Sequence, residues 1–242
     1  MQRISIFTRG KTDIMIPIMK TSKAIKGLLG RLTIDDLPNH MPSNVQLREK
    51  AKILIIDDQS ITHEAALRSM GYNIKIQKQW NDIKDVEPYQ VIISDNHGVT
   101  NNIGASCDGT AMMIQARNTY PEKEYVVYSA NIIDMRDRNI SGFELLTKGD
   151  QIDDWTSLLD DAIKKCFDPR LSWYTISSFL QNQNLTEKEL RVLQNNYVKS
   201  ILSENTDILS NRDWSFDRDT LSVIIRLATL AVNAMKLLSS SL

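Results

Sequence analysis

Residues 52–60 read KILIIDDQS, an apolar run that ends in two adjacent acids. Residues 89–98 repeat this pattern as YQVIISDNHG, in which the apolar run ends at Asp95. A continuous apolar run is typical of a strand that is buried on both faces of a parallel sheet. The two stretches therefore predict buried parallel strands whose carboxyl ends carry Asp57, Asp58 and Asp95.

Three further strand patterns, with helical patterns between them, extend this arrangement. The strand patterns are YNIKIQ at 72–77, YVVYSA at 125–130 and GFELLTKG at 142–149. Helical patterns cover residues 60–70, with Ser60 as the expected N-cap, and also 108–118 and 153–167. Strands that alternate with helices imply right-handed crossovers and a parallel sheet. The sequence therefore predicts an α/β fold with five parallel strands over residues 51–167.

The flanking regions follow different patterns. Residues 1–50 contain a short strand pattern, RISIF, then a helical stretch at about 13–32 that Pro17 interrupts. The segment LPNHMPSN at 37–44 has the composition of a linker. Residues 168–242 are predicted to be helical at 173–181, 186–202 and 217–238, with TEKE at 186–189 as a capping box. We therefore expect an N-terminal extension (1–50), the α/β domain (51–167) and an all-α C-terminal region (168–242).

Composition restricts the class of protein. The 242 residues are 42% hydrophobic and 24% charged, with a net charge of −1, which gives no global basic field for nucleic acid or membrane surfaces. Cys107 and Cys166 are isolated thiols, which fits a reducing cytoplasm. The N-terminus lacks the pattern of a signal peptide. The apolar stretch at 221–238 carries Arg226 and Lys236, so we expect a buried or dimer-forming helix rather than a membrane span.

The strand ends carry the residues that could bind a ligand or take part in catalysis. Ligands of an open parallel sheet bind beyond the carboxyl ends of its strands. These ends carry five polar residues, namely Asp57, Asp58, Asp95, Ser129 and Lys148. Clustered carboxylates repel one another, and a hard cation such as Mg²⁺ relieves that repulsion through oxygen ligands. One carboxylate could then attack a phosphoryl group, with lysine and serine contacting its oxygens.

Four segments carry a family resemblance. IIDDQS, VIISDNHG, VVYSAN and LLTKGD resemble the signature segments of the receiver domains of two-component response regulators. The resemblance implies a flavodoxin-like sheet, Mg²⁺ held by Asp57, Asp58 and Asp95, and phosphorylation of Asp95 by a sensor histidine kinase or phosphotransfer protein. It also implies that Ser129 and Lys148 contact the phosphoryl group. Such a domain catalyses only its own phosphorylation and dephosphorylation, so no other enzyme activity is expected.

The chain departs from this family's pattern at several points. The loop between Asp95 and the pair Asp108-Gly109 is longer than usual and contains no proline. Leu145 occupies the position, three before the lysine, where receivers commonly have an aromatic residue. Gly149 follows the lysine in place of a common proline, and residues 131–141 are short for a crossover helix. These departures concern the usual output mechanism more than the phosphorylation chemistry.

Two other functions remain open at this point. The domain could be a receiver-like adaptor that binds a partner without phosphorylation, which the long loop and Leu145 favour. It could also be a phosphatase of the haloacid-dehalogenase type, whose signature needs two acids separated by one residue, whereas Asp57 and Asp58 are adjacent. Each site residue also has an ordinary explanation, because acids favour helix N-termini and serine hydroxyls often bond to backbone.

The C-terminal region is expected to bind protein. LTEKELRVL at 185–193 resembles the opening of the helix-turn-helix of some response regulators, but the continuation does not match and no basic recognition helix follows, so DNA binding is not favoured. The region contains no histidine, which excludes a histidine phosphotransfer domain. We expect a homodimer or partner interface. The apolar positions of a core or dimer seam are Val223, Ile224, Leu227, Leu230, Ala231, Ala234 and Leu238.

Overall fold

A five-stranded parallel sheet forms the centre of the α/β part. The computed structural model describes residues 32–100, 108–130, 142–181, 185–211 and 213–239. The strands are β1 (Lys52–Ile56), β2 (Asn73–Gln77), β3 (Val91–Asp95), β4 (Glu124–Ser129) and β5 (Glu144–Thr147). Their order is β2-β1-β3-β4-β5, and each neighbouring pair is parallel. This is the flavodoxin-like order, so the predicted fold class is confirmed.

Helices surround the sheet and continue beyond it. In the described ranges they are α1 (Asn44–Lys50), α2 (Glu64–Ser69), α3 (Gly109–Thr119), α4 (Ile152–Phe167), α5 (Pro169–Gln181), α6 (Glu187–Leu202), α7 (Asp207–Ser210) and α8 (Arg218–Ser239). The predicted bounds of α3, α4, α6 and α8 are each right to within a residue. The capping box at the start of α6 is confirmed, with Thr186 as the N-cap and Glu189 as its partner.

Two helix starts differ from the prediction. Helix α2 begins at Glu64, with His63 rather than Ser60 as the N-cap, because the preceding residues form a turn in which the Glu64 N–H bonds to the Ile61 carbonyl at 3.3 Å. Helix α5 begins at Pro169, before the predicted start, because the Asp168 carboxylate accepts the Arg170 N–H at 2.8 Å. Proline is well suited to the first position of a helix.

The strand β1 shows why its sequence is apolar throughout. Ile53 and Ile55 lie on one face of the sheet, in a cluster with side chains of α2 and α4. Leu54 and Ile56 lie on the other face, in a cluster with α3 and with Trp80. All four side chains are fully buried. Burial on both faces stabilises the central strands, and it thereby also holds the residues at the strand ends in place.

The connection from β2 to β3 contains a 3-10 helix, Ile83–Val86, rather than an α-helix. Asp82 caps it by accepting the Lys84 N–H at 2.9 Å, and Pro88 lies in the turn that leads to β3. A single short turn is therefore sufficient to bury Val86 on the sheet. Strict alternation of strands with α-helices does not hold here.

The predicted N-terminal extension divides between two parts of the molecule. Its linker segment ends in helix α1, which Ser43 caps, and Leu47 of α1 is buried against the sheet. Arg48 of α1 makes two hydrogen bonds to Asp160 of α4, at 2.8 and 2.7 Å. The 3-10 helix Ile34–Asp36 instead packs among the C-terminal helices. The predicted strand RISIF and the predicted helix with Pro17 lie outside the described residues.

The C-terminal helices α5 to α8 form their own hydrophobic cluster. Five members of the predicted apolar stripe are buried, namely Val223, Ile224, Leu227, Ala231 and Ala234. The stripe therefore forms core within this chain rather than a dimer seam; the side chain of Leu238 lies outside the described set. By length and composition alone, Arg218–Leu237 is the one helix in the described ranges that could cross a membrane, but its apolar stripe packs inside the protein.

Helix α8 also docks against the α/β part. Ala234 belongs to the cluster under the sheet, and partly buried Leu230 packs on it. The Arg226 guanidinium contacts the Glu122 carboxylate, just before β4, with 2.5 Å between Nε and Oε1. A cleft at the amino-terminal edge of the sheet is lined by Lys52 of the α/β part together with Leu230. The helical region therefore sits at the sheet edge opposite the strand ends that carry the acids.

Candidate functional site

Three carboxylates converge at the carboxyl edge of the sheet. Asp57 directly follows β1 and Asp95 ends the neighbouring strand β3. Ligand oxygens of Asp57, Asp58 and Asp95 all lie within 4.8 Å of one another. Asp57 and Asp95 are buried, whereas Asp58 is exposed. The predicted cluster is therefore open to solvent on the side of Asp58.

The donor set of this cluster suits a hard divalent cation. It consists of carboxylate oxygens, which Mg²⁺ prefers, and its open side leaves room for the waters that Mg²⁺ retains. Burial raises the pKa of Asp57, although a hydrogen bond from the Gln59 N–H and the nearby Lys148 oppose this rise. A buried carboxylate is costly to ionise without a cation beside it. The residues therefore fit Mg²⁺.

Lys148 bridges two of these carboxylates. Its Nζ lies 2.5 Å from Oδ2 of Asp95 and 3.1 Å from Oδ2 of Asp57. Burial alone would lower the pKa of Lys148, but the hydrogen bonds to Asp95 and Asp57 outweigh it, and the pKa is raised. The amine therefore remains charged between the two carboxylates.

Ser129 lies at the same edge of the sheet. Asp95 is in register with Tyr128, so Ser129 is one residue further toward the carboxyl ends of the strands. Its side chain is buried, and its backbone carbonyl accepts the Lys148 N–H at 3.1 Å. The structure thus places all five predicted site residues at one edge, with direct side-chain contacts from Lys148 to Asp57 and Asp95.

The chain that follows Asp95 is held by backbone hydrogen bonds. The His97 N–H donates to Oδ1 of Asp95 at 3.3 Å. The Gly109 N–H donates to the Asn96 carbonyl at 2.9 Å, and the Asn96 side chain accepts from Thr110. These bonds tie the first residues of the long loop to the start of α3. The Asp-Gly pair that resembles the family's pattern thus begins α3, and Asp108 is its N-cap.

Two glycines allow close approach of the backbone to the acidic residues Asp58 and Asp95. Gly98 has φ of +75°, and a Cβ there would lie 2.7 Å from Oδ2 of Asp58. Any side chain at Gly109 would overlap the backbone carbonyl oxygen of Asp95. Glycine accepts both the left-handed conformation and the tight contact. A side chain at either position would therefore displace the neighbouring acidic residue or the loop.

Sequence reasoning missed two aromatic residues beside the site. The Tyr128 ring centre lies 5.2 Å from Nζ of Lys148, and Tyr128 in turn packs edge-on against Trp155 of α4 at 5.1 Å. Trp80 is fully buried beneath the loop that follows Asp95. The adjacency of Tyr128 to Ser129 was a usable signal, whereas nothing local marks Trp80. At the family's usual aromatic position, Leu145 is 39% exposed on the edge strand.

Comparisons with known proteins give distant structural similarity only. No protein-family model matches the chain, and no curated protein matches it in sequence. A response regulator receiver domain protein from Clostridium thermocellum is 18% identical over 48% of this chain and 95% of that one, with a TM-score of 0.39. Full-length FixJ from B. japonicum is 15% identical over 75% and 97%, with a TM-score of 0.42. StyR, a response regulator, is 16% identical over 78% and 98%, with a TM-score of 0.39.

The strand order identifies the fold without these similarities. A parallel sheet in the order β2-β1-β3-β4-β5, flanked by helices on both faces, is the flavodoxin-like fold, which receiver domains share with other proteins. The acids at the ends of β1 and β3 and the lysine after β5 occupy the edge where ligands of this fold bind. The chain therefore contains a receiver-like domain with an all-α C-terminal region.

Proposed function

We propose that the chain is a signalling protein of the response-regulator type in which Asp95 is the phosphoacceptor. The observation that carries this proposal is the position of Lys148, whose Nζ contacts both Asp95 and Asp57. A structural lysine would need only one carboxylate partner at the surface. Two buried carboxylates beside one charged amine, with Asp58 completing the cluster, fit the binding of a cation and a phosphoryl group.

The residues have distinct roles in the proposed transfer. A carboxylate oxygen of Asp95 attacks the phosphorus of a phosphohistidine on a sensor kinase or phosphotransfer protein. The P–N bond breaks, its electron pair remains on the imidazole nitrogen, and an acyl phosphate forms. Lys148 and the Ser129 hydroxyl then contact the phosphoryl oxygens. Mg²⁺, when held by the three acids, supplies further positive charge to those oxygens.

The output is proposed to pass through the C-terminal helices by protein–protein contact. Phosphorylation adds about two negative charges at the carboxyl edge of the sheet, where Lys148 responds to them. Helix α4 extends from that edge to α5 with a single intervening residue, Asp168. At the start of α5, Leu171 and Tyr174 are 44% and 59% exposed, large values for apolar side chains. We assign this surface to the contact with a second copy or another protein partner in the cytoplasm.

The binding of a phosphoryl mimic tests the proposal directly. Beryllofluoride should bind in the presence of Mg²⁺ and give a protein-bound fluorine resonance. The resonance should be lost with Asp95→Asn and weakened with Lys148→Met, whereas Asp161→Asn, an exposed acid elsewhere on α4, should leave it unchanged. Absence of the resonance from the wild-type protein at saturating Mg²⁺ would contradict the proposal.

A receiver-like adaptor that is not phosphorylated is the second candidate. It is favoured by the exposure of Leu145, since an outward leucine on the edge strand suits partner binding and replaces the usual aromatic residue. In that case beryllofluoride would not bind, yet partner binding would depend on Leu145. Hydrolysis of a generic aryl phosphate, lost with Asp57→Asn, would instead indicate a phosphatase of the haloacid-dehalogenase type.

A further inference from the structure

Trp80 lies between β2 and β3, and its ring is completely buried on the face of the sheet that α3 covers. Its two N–H groups both have partners. The indole N–H donates to the Ser94 hydroxyl at 2.9 Å, and the backbone N–H donates to the Val99 carbonyl at 2.7 Å. The bond to Ser94 needs the indole of a tryptophan, whereas the bond to Val99 comes from the backbone of position 80, which the buried ring holds in place.

The two partners of Trp80 lie on either side of Asp95 in the chain. Ser94 immediately precedes Asp95, and its hydroxyl donates to the Asp95 carbonyl at 2.9 Å. Val99 follows four residues later, is fully buried, and is next to Gly98. The loop between these two anchors supplies the His97 N–H that bonds to the Asp95 carboxylate. The same loop brings Gly98 against the Asp58 carboxylate.

We infer that Trp80 is a positioning residue for the acidic site, because it fixes the chain on both sides of Asp95. Through Ser94 it holds the end of β3, and through Val99 it holds the loop that sets the Asp95 carboxylate and abuts Asp58. The beginning of the long loop after Asp95, residues 96–99, is thereby held in place although the loop contains no proline. The inference rests on the proposed function, because it concerns the position of the proposed phosphoacceptor. The loop geometry can be tested without any phosphorylation.

Substitutions that remove these contacts in steps provide the test. Trp80→Phe retains most of the ring volume and removes only the indole N–H. Ser94→Ala removes the acceptor of the same bond and also the bond from the Ser94 hydroxyl to the Asp95 carbonyl. Trp80→Leu also removes the ring volume beneath the loop. Trp214→Phe is the matched control, since the Trp214 indole donates to the Leu209 carbonyl at 2.8 Å in the helical region.

Hydrogen exchange should respond at the amides that hold the loop. These are the amides of position 80, His97 and Gly109. Trp80→Phe should accelerate their exchange by about tenfold, the usual effect of one lost buried hydrogen bond, and Trp80→Leu should accelerate it further. Addition of Ser94→Ala to Trp80→Phe should accelerate it further, because Ser94→Ala also removes the bond from the Ser94 hydroxyl to the Asp95 carbonyl. Trp214→Phe should leave these amides unchanged.

Magnesium affinity distinguishes positioning from simple packing. Titration with Mg²⁺ alone should give a severalfold larger dissociation constant for Trp80→Phe and Trp80→Leu than for the wild-type protein. Trp214→Phe should leave the dissociation constant unchanged, even if it lowers thermal stability as much. Unchanged exchange at the three amides, or unchanged Mg²⁺ affinity despite faster exchange, would overturn the inference. If the wild-type protein itself does not bind Mg²⁺, the proposed function fails, and the exchange comparison still decides whether Trp80 fixes the chain around Asp95.

Discussion

Substitution of Arg226 by methionine should destabilise the docked arrangement of the helical region. Arg226 of α8 bonds to both carboxylate oxygens of Glu122, at 2.5 and 3.3 Å, and its guanidinium lies 5.2 Å from the Tyr120 ring centre. The Glu122 side chain is 1% exposed, whereas that of Arg226 is 32% exposed. Methionine retains the apolar length of the side chain, so the change removes mainly the charge.

The expected loss follows from the burial of Glu122. Removal of one partner from a fully buried ion pair costs about 3 to 5 kcal/mol, because the remaining charge is left without compensation. Since water reaches part of Arg226, we expect the lower part of this range or slightly less, about 2 to 3 kcal/mol. Substitution of Glu122 by methionine as well should recover much of that loss, because no charge then remains buried.

Urea unfolding of the single and double variants measures this coupling. Arg191→Met is the matched control, since Arg191 pairs with Glu187 on the surface of α6 and both side chains are at least 80% exposed. The control should cost no more than about 0.5 kcal/mol. An Arg226→Met cost equal to that of the control, or a double variant with simply additive effects, would refute the view that this pair fixes α8 to the receiver-like domain.

Other residues give shorter predictions. Burial raises the pKa of Glu124 from 4.5 to about 7; the Glu144 charge adds to this rise and Lys165 opposes it. Stability should therefore fall as pH rises from 4.5 to about 7. Glu124→Gln should abolish this fall in thermal melts. Burial alone would raise the pKa of Asp160, but its hydrogen bonds, chiefly from Arg48, outweigh this and lower it. The contribution of Asp160 to the free energy of unfolding is therefore complete above the ordinary pKa and is lost as pH falls below about 4. Asp160→Asn should lower the free energy of unfolding by about 1 to 3 kcal/mol at pH 7 and make stability less dependent on pH in acid. An unchanged free energy of unfolding would show that these hydrogen bonds do not stabilise the fold. Tyr174→Glu should weaken self-association at least about tenfold in sedimentation without lowering the melting temperature, and unchanged association would exclude the α5 surface as the contact.

The sequence predicted those features that depend on local pattern. The apolar runs before Asp57 and Asp95 gave buried strands, because only burial on both faces allows such runs in a soluble sheet. The common direction of parallel strands then placed Ser129 and Lys148 at the same edge as the acids. Helix caps such as Thr186 gave accurate bounds, since a cap and its partner are only three residues apart.

The features that the sequence did not predict are contacts between distant residues. Trp80, which precedes β3, bonds to Val99, which follows β3, and no short motif marks this pair. Glu122 and Arg226 are 104 residues apart, and each alone has the composition of an ordinary surface charge. Helix α1 follows a segment with two prolines and the composition of a linker, and its packing involves Asp160 of α4. Such pairings follow from the tertiary arrangement of the elements, so local propensity does not reveal them.

Phosphorylation of Asp95 is the central claim, and intact mass after incubation with acetyl phosphate measures it most directly. The wild-type protein should gain the mass of one phosphoryl group in the presence of Mg²⁺. The gain should be absent with Asp95→Asn or with a chelator, and it should persist in the control Asp161→Asn. No gain in the wild-type protein, or an equal gain in Asp95→Asn, would contradict the assignment of Asp95 as the phosphoacceptor.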